Sequence, residues 1–386
     1  MSAPPASRAA AGAGGLPDAP PPAPPQPPPP PRSMGAHLLD PAYGPPPSTD
    51  YADLPAMLGH PDLGPFILGW LANDTAAASA LRGTCAAARD AVAAYPWADE
   101  TTIVRWPARW RRAFPSAVAA SVRGNTRLVD ADFVHLRGLR WLNMGDCSQA
   151  TITEGAFVHL AGIHTLYMRY CNQATITDGA FAHLAGIHTL GMSWCSQATI
   201  TDSAFTHLTG IHTLYMWGCN QATITDGAFA HLAGIRMLDM SYCCQATITD
   251  GAFAHLAGIH TLGMWRCSQA TITDGAFVHL AGIHTLNMSF CNQTTITDVA
   301  FAHLSGIHTL YMGGCNQASI TDAAFAHLAG IHTLSMWRCS QATITDGAFV
   351  HLAGIHTLDI SDCNQATITD ACRARLRAAG IPVLRM

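Results

Sequence analysis

CNQATITDGAFAHLAGIHTLGMSW, residues 171–194, decides the fold, because this 24-residue pattern returns again and again along the chain. Ten cysteines keep the spacing: Cys147, Cys171, Cys195, Cys219, Cys243, Cys267, Cys291, Cys315, Cys339 and Cys363. A unit this short cannot bury its own apolar face, and only stacking on its neighbours gives a continuous core. The expected fold class is α/β: a solenoid of eleven units over residues 123–386, with parallel strands on a concave face and short helices on a convex face.

Within a unit, Ile163, Leu166, Met168 and Cys171 follow the spacing L-x-x-L-x-L-x-x-C. Strand alternation turns Leu166 and Met168 inward and Thr165, Tyr167 and Arg169 to the opposite, concave wall. Thr177 and Asp178 cap a short helix over residues 179–185, Phe181 and Leu184 face the core, and Gly186 ends the helix. With its Ile-Thr-Asp and Leu-x-Met-x-x-Cys segments, the unit resembles the cysteine-containing class of leucine-rich repeats. The last unit carries Arg373, Arg375 and Arg377 on its helix and reads as a polar cap, with Leu384 two residues late.

Ahead of the repeats the texture changes three times. Residues 1–50 hold 17 of the 24 prolines, including the run 27–31, a composition for a disordered arm of polyproline II character that serves as a spacer or a ligand for aromatic-lined domains. Residues 51–97 show helical spacing. There Leu54-Pro55, Ile67, Trp70-Leu71, Asp74, Leu81-Arg82, Thr84-Cys85, Arg89 and Trp97 resemble an F-box, the module that docks on the adaptor of SCF-type ubiquitin ligases. The resemblance implies adaptor contacts at Leu54, Pro55, Ile67, Leu71, Leu81 and Cys85. The competing reading is a helical cap over the first repeat. Residues 98–122, with Trp106, Trp110 and Phe114, form a linker that plugs the open end of the solenoid.

Comparison between units separates scaffold from free positions. Most variation falls on the outward strand residue between Leu and Met and on the two residues before Cys. These positions carry Tyr167, Arg169, Tyr170, Trp194, Tyr215, Trp217, Tyr242, Trp265, Arg266, Phe290, Tyr311, Trp337 and Arg338. Trp, Tyr and Arg dominate binding hot spots, so these residues are the candidate target-binding wall. Neutral drift after duplication is the alternative.

Other functions have little support. With 20 basic and 25 acidic residues and no dense arginine stripe, a nucleic-acid footprint is not expected. No apolar run reaches the ~18 residues of a membrane span, and the amino terminus has no secretory signal, so a cytoplasmic or nuclear monomer with reduced thiols is expected. Every Ser, His or Asp that a catalytic constellation would need belongs to a repeated column, so the chain reads as a binding subunit without catalysis or cofactor. Metal binding is not expected, because the cysteines close the strand loop while the His159, His183 and His207 column sits on the helix. Thr175 and Thr177 begin hydroxyl rows that, if open, would resemble an ice-binding face. All basic residues are arginine, which fits a GC-rich genome or a partner of ubiquitin-transfer machinery. The lysine-free, alanine-rich texture looks like F-box proteins of large DNA viruses of amoebae. The reading is thus an SCF substrate receptor holding an unknown target protein, or else a leucine-rich-repeat scaffold outside ubiquitin chemistry.

Overall fold

The computed structural model describes residues 54–60, 63–71 and 74–386, apart from the side chains of Leu54 and Pro55. The proline-rich arm predicted over 1–50 lies outside the described residues. Among those described, twelve three-residue strands from Ala119–Ser121 to Val383–Arg385 form one parallel sheet in strict sequence order. Each unit's leucine faces the next, as in Leu142, Leu166 and Leu190, so the inward side chains stack without a slip. The late Leu384 still pairs with Leu358. The helix before it, Asp370–Ala378, is longer than Asp178–Ala182 and absorbs the two extra residues.

The repeat helices are shorter than residues 179–185 would suggest. Asp178–Ala182 makes about one turn, and the Leu184 amide then reaches the Phe181 carbonyl at 2.9 Å, an i to i−3 bond that tightens the exit. Gly186 at φ 81° supplies the left-handed turn into the next strand. The parts of the unit converge inside: Ile163, Leu166, Met168, Cys171, Ile176, Ala180, Phe181 and Leu184 are all buried in a core that continues through the solenoid. Each buried Phe contributes roughly 1.5–3 kcal/mol of transfer free energy.

Four helices, Leu54–Gly59, Leu63–Trp70, Thr75–Arg82 and Ala86–Ala94, precede the sheet. Their core holds Leu58, Leu68, Ala78, Val92 and Trp97 together with Phe114 and Ala117 from the linker, so packing runs across the expected boundary at residue 97. Trp110 touches both this core and that of the repeats. Trp106, expected in the plug, is instead exposed. Arg111 ties the pieces together, donating to the carbonyls of His135 at 2.7 Å and Ala117 at 2.9 Å. The sheet begins at Ala119, inside the linker segment, where the Val118 amide is held by the Trp97 carbonyl at 2.8 Å.

Candidate functional site

Polar columns join each unit to the one before it. The Cys171 thiol donates to the Met144 carbonyl at 3.2 Å, and Cys195 repeats this on Met168 at 3.1 Å. The cysteines, which close the strand loop, thereby satisfy a carbonyl at the end of the preceding strand, and burial pushes the Cys219 and Cys315 thiols up to about 12. Beside them runs a column that sequence reasoning missed: buried glutamines such as Gln173 and Gln197, whose Nε2 donates to the Cys147 and Cys171 carbonyls at 3.1 Å. The threonine rows are equally committed. Thr199 Oγ1 donates to the Ile176 carbonyl at 2.8 Å, while the Thr201 amide and hydroxyl both donate to Asp178 at 2.7 Å. These hydroxyls therefore make no open array of the kind an ice-binding face needs.

The opposite face of the strands carries the variable residues, and the structure gathers most of them into one belt. Tyr170 stacks on Trp194 with centroids 6.0 Å apart, Trp194 meets Trp217 and Tyr242, and Tyr242 meets Trp265 edge-on at 4.6 Å. Trp265 then touches Phe290, which touches Trp337 at 5.3 Å. Arg169 lies over Tyr170 and Trp217, Arg338 over Trp337, and Arg266 within 5.4 Å of the Tyr242, Trp265 and Phe290 rings. Tyr167 and Tyr215 form a second group with Trp141, a residue the sequence reading passed over. Tyr311 is exposed and joins none of these ring pairs. Apart from exposed Tyr170, the belt rings are half-buried, and none enters the repeat core.

Two features of the belt are invisible in sequence. Glycines make room for its rings: a Cβ on Gly218 would sit 2.6 Å from Trp194, and one on Gly314 would sit 2.5 Å from Phe290. Moreover, the residue just before each cysteine is left-handed, and Tyr170, Trp194, Tyr242, Arg266, Phe290 and Arg338 hold φ values of 56–60° there. Trp194 Nε1 and Trp217 Nε1 are buried with no hydrogen-bond partner among the described residues. Burial raises Asp239 from its ordinary value, against the lowering effect of hydrogen bonds from Ser241.

Of the adaptor candidates, Ile67, Leu71, Leu81 and Cys85 are half-buried against the helical core. Leu54 and Pro55 begin the first helix, and their side chains lie outside the described residues. The apolar side chains this module exposes are others: Met57, and along Leu63–Trp70 a stripe of Leu63, Phe66 at 60 % and Trp70 at 74 %, spaced i, i+3 and i+7. Spacing alone could not tell this outer stripe from the inner one.

The second histidine column stacks on itself. His164, His188 and His212 lie with ring centroids 4.4–4.5 Å apart, and His260, His284, His308, His332 and His356 continue at 4.4–4.6 Å, the planes 10–14° apart. Arg236 divides the two blocks. Each ring faces the next residue's hydroxyl, as in His284 Nδ1 with Thr285 Oγ1 at 3.1 Å. Partial desolvation, then neighbouring imidazoles and Arg140 or Arg236, lower His164 and His212 from their ordinary value.

No family model matches the chain, and no curated protein matches it. Among solved structures it is similar to a chain of the Drosophila Toll–Spatzle complex, at TM-score 0.53 and 16 % identity over 68 % of this chain and 37 % of that one. It is also similar to a chain of the TLR13–ssRNA13 complex, at TM-score 0.53 and 17 % identity over 64 % and 36 %. The chain thus spans just over a third of these neighbours' length. Among the described residues no helix is long and apolar enough to cross a membrane. At such identities the likeness speaks for the fold alone: this is a leucine-rich-repeat solenoid.

Proposed function

We propose that this chain is the substrate-recognition subunit of an SCF-type ubiquitin ligase, with the helical module on the adaptor and the ring belt on a target protein. The observation that carries the target half is the belt from Tyr170 to Trp337, a run of rings in mutual contact on a solvent-facing sheet. Folding alone does not call for it, and its residue types are those of interface hot spots. The adaptor half rests on the F-box-like pattern and on the exposed Leu63, Phe66 and Trp70 stripe. The two similar complexes name a protein ligand and an RNA ligand. A net charge of −5, with Asp239, Asp359 and Asp362 on the same wall, favours protein over RNA here. The chain itself does no chemistry in this scheme. It raises the local concentration of a target beside a ubiquitin-charged enzyme, and the lack of lysine spares it as an acceptor.

A second reading, a repeat scaffold outside ubiquitin transfer, is favoured by one observation: Ile67, Leu71, Leu81 and Cys85 pack on a core shared with the linker, as a structural cap would. Affinity capture of the full chain separates the two. Wild type should retain the SCF adaptor, Phe66→Ala with Trp70→Ala should lose it, and Trp217→Ala with Trp265→Ala should lose the target while keeping the adaptor. Absence of the adaptor from wild-type captures refutes the ligase role, and target capture that survives the tryptophan changes refutes the belt.

A further inference from the structure

Building on the target-binding role proposed for the wall, we infer that Asp239 is its specificity-determining residue: the carboxylate pairs with an arginine of the target, whose guanidinium lies against the Trp217 and Trp265 indoles. The variable columns hold the aspartates Asp146, Asp239, Asp359 and Asp362. All but one have an arginine of this chain. Arg123 reaches Asp146 at 2.7 Å, Arg338 reaches Asp362 at 3.4 Å and Arg385 reaches Asp359 at 4.0 Å. Asp239 has no ion pair among the described residues, although Arg169 and Arg266 stand on the same wall. Their guanidinium groups lie over rings instead.

Asp359 shows what is missing at Asp239. The two share a strand position, and their local bonds agree: the Ser241 amide donates to Asp239 Oδ1 at 3.0 Å, and the Ser361 amide to Asp359 Oδ1 at 3.0 Å. Their surroundings differ. Asp239 has Tyr215 and Gly263 as register partners, with Trp217 and Trp265 two residues further along those segments. A Cβ on Gly263 would sit 2.7 Å from Asp239 Oδ1, so the carboxylate lies over bare backbone on the side away from Tyr215. The rings of Trp217 and Trp265 come within 6.1 Å of each other at 68°.

A carboxylate half-buried among rings is held at a cost that a cation offsets. Burial raises Asp239 against the bonds from Ser241, and after burial itself the Asp239 charge raises the Tyr215 phenol. A guanidinium suits this place better than an ammonium, because its planar fork pairs with a carboxylate while its face stacks on indole.

Titration of the full chain with a blocked pentapeptide, one arginine flanked by glycines, tests this through the indole resonances of Trp217 and Trp265 in NMR spectra. Saturable shifts are expected. Binding should weaken about tenfold when citrulline replaces the arginine, and about tenfold with Asp239→Asn, which keeps the side chain's shape and its bond from Ser241. Asp359→Asn removes the same charge from the same column and should weaken binding by no more than about twofold. No shift with wild type, equal binding of the citrulline peptide, or equal losses from the two aspartate variants overturns the assignment. In affinity capture, Asp239→Asn should release the protein that Trp217→Ala with Trp265→Ala releases. If only the tryptophan changes release it, the wall stands and the arginine site falls; if neither does, the wall itself falls.

Discussion

Gly218→Ala probes the way the wall is built. Gly218 has φ +70°, and a methyl group there would sit 2.6 Å from the Trp194 ring. The left-handed backbone costs an alanine about 1–2 kcal/mol. Pushing the ring away adds overpacking of about 1–3 kcal/mol, at the low end because Trp194 is only half-buried and can yield. The sum is about 2–3 kcal/mol. Gly210 is the matched control: its φ is +84° and nothing lies within 4 Å of its would-be Cβ, so alanine there meets the backbone cost alone. Urea unfolding of the four chains, wild type, Gly210→Ala, Gly218→Ala and Gly218→Ala with Trp194→Ala, measured against Trp194→Ala by far-ultraviolet circular dichroism, gives a double-mutant cycle. The coupling between Gly218 and Trp194 should be about 1 kcal/mol. Repeat arrays can depart from two-state unfolding, so the comparison is made between variants and not on absolute values. If Gly218→Ala costs no more than Gly210→Ala, or costs the same with and without the indole, the ring does not rest on this glycine.

Four further outcomes follow from the polar columns and the helical module. Iodoacetamide should label exposed Cys244 in the native chain and spare Cys219 and Cys315, whose thiols burial holds at about 12; peptide mass spectrometry reporting modified Cys219 counts against the buried column. Since those values lie above the ordinary 9.0, the neutral thiols contribute stability that is fully present below pH ~9 and is lost progressively as pH rises from there through about 12, which pH-dependent urea midpoints would read. Burial acts to raise Asp99, but hydrogen bonds from Thr102, Thr75 and Thr101 outweigh it and hold the carboxyl well below its ordinary 3.8. Its contribution is therefore present above pH ~3.8 and lost on further acidification; Asp99→Asn should weaken the cap by about 1–3 kcal/mol and flatten the acid response of Trp97 fluorescence. Asp250 accepts from the Thr273 amide at 2.7 Å and hydroxyl at 2.5 Å, so Asp250→Asn should cost about 1–2 kcal/mol, with Thr273→Val giving little more on top of it.

The solenoid could be read from residues because its signal is periodic: Leu166 and Met168 alternate, Thr177 caps, Gly186 turns, and the same letters return 24 positions later. Repetition also hid things. A glutamine in every unit looks like a surface residue until stacking brings Gln173 beside the Cys147 carbonyl, a contact across 26 positions that no local pattern encodes. The wall's membership was legible from variation, whereas its contacts were not, since ring pairs such as Phe290 with Trp337 depend on which way each side chain lies down. In the helical module the pattern located the helices but not their outward faces: Ile67 and Leu71 pack inward, while Phe66 and Trp70, one position earlier on the helix, face solvent.

Drift and selection for binding make different demands on the wall. Independent drift has no reason to match a large residue in one unit with a small one in the next. Yet Tyr167 lies against Gly191, Trp194 against Gly218, Phe290 against Gly314 and Trp337 against Gly313, each within 2.6 Å of where a Cβ would be. Drift would also settle the left-handed position before each cysteine with Gly, Asn or Asp, as at Gly218, Gly314 and Asp362. Tyr170, Trp194, Tyr242 and Phe290 occupy it instead, at about 1–2 kcal/mol apiece. Strain of this kind persists where the surroundings over-determine it and gathers at functional sites. The rings therefore stand where local backbone preference alone would not have put them, as the proposed target-binding role of the wall requires.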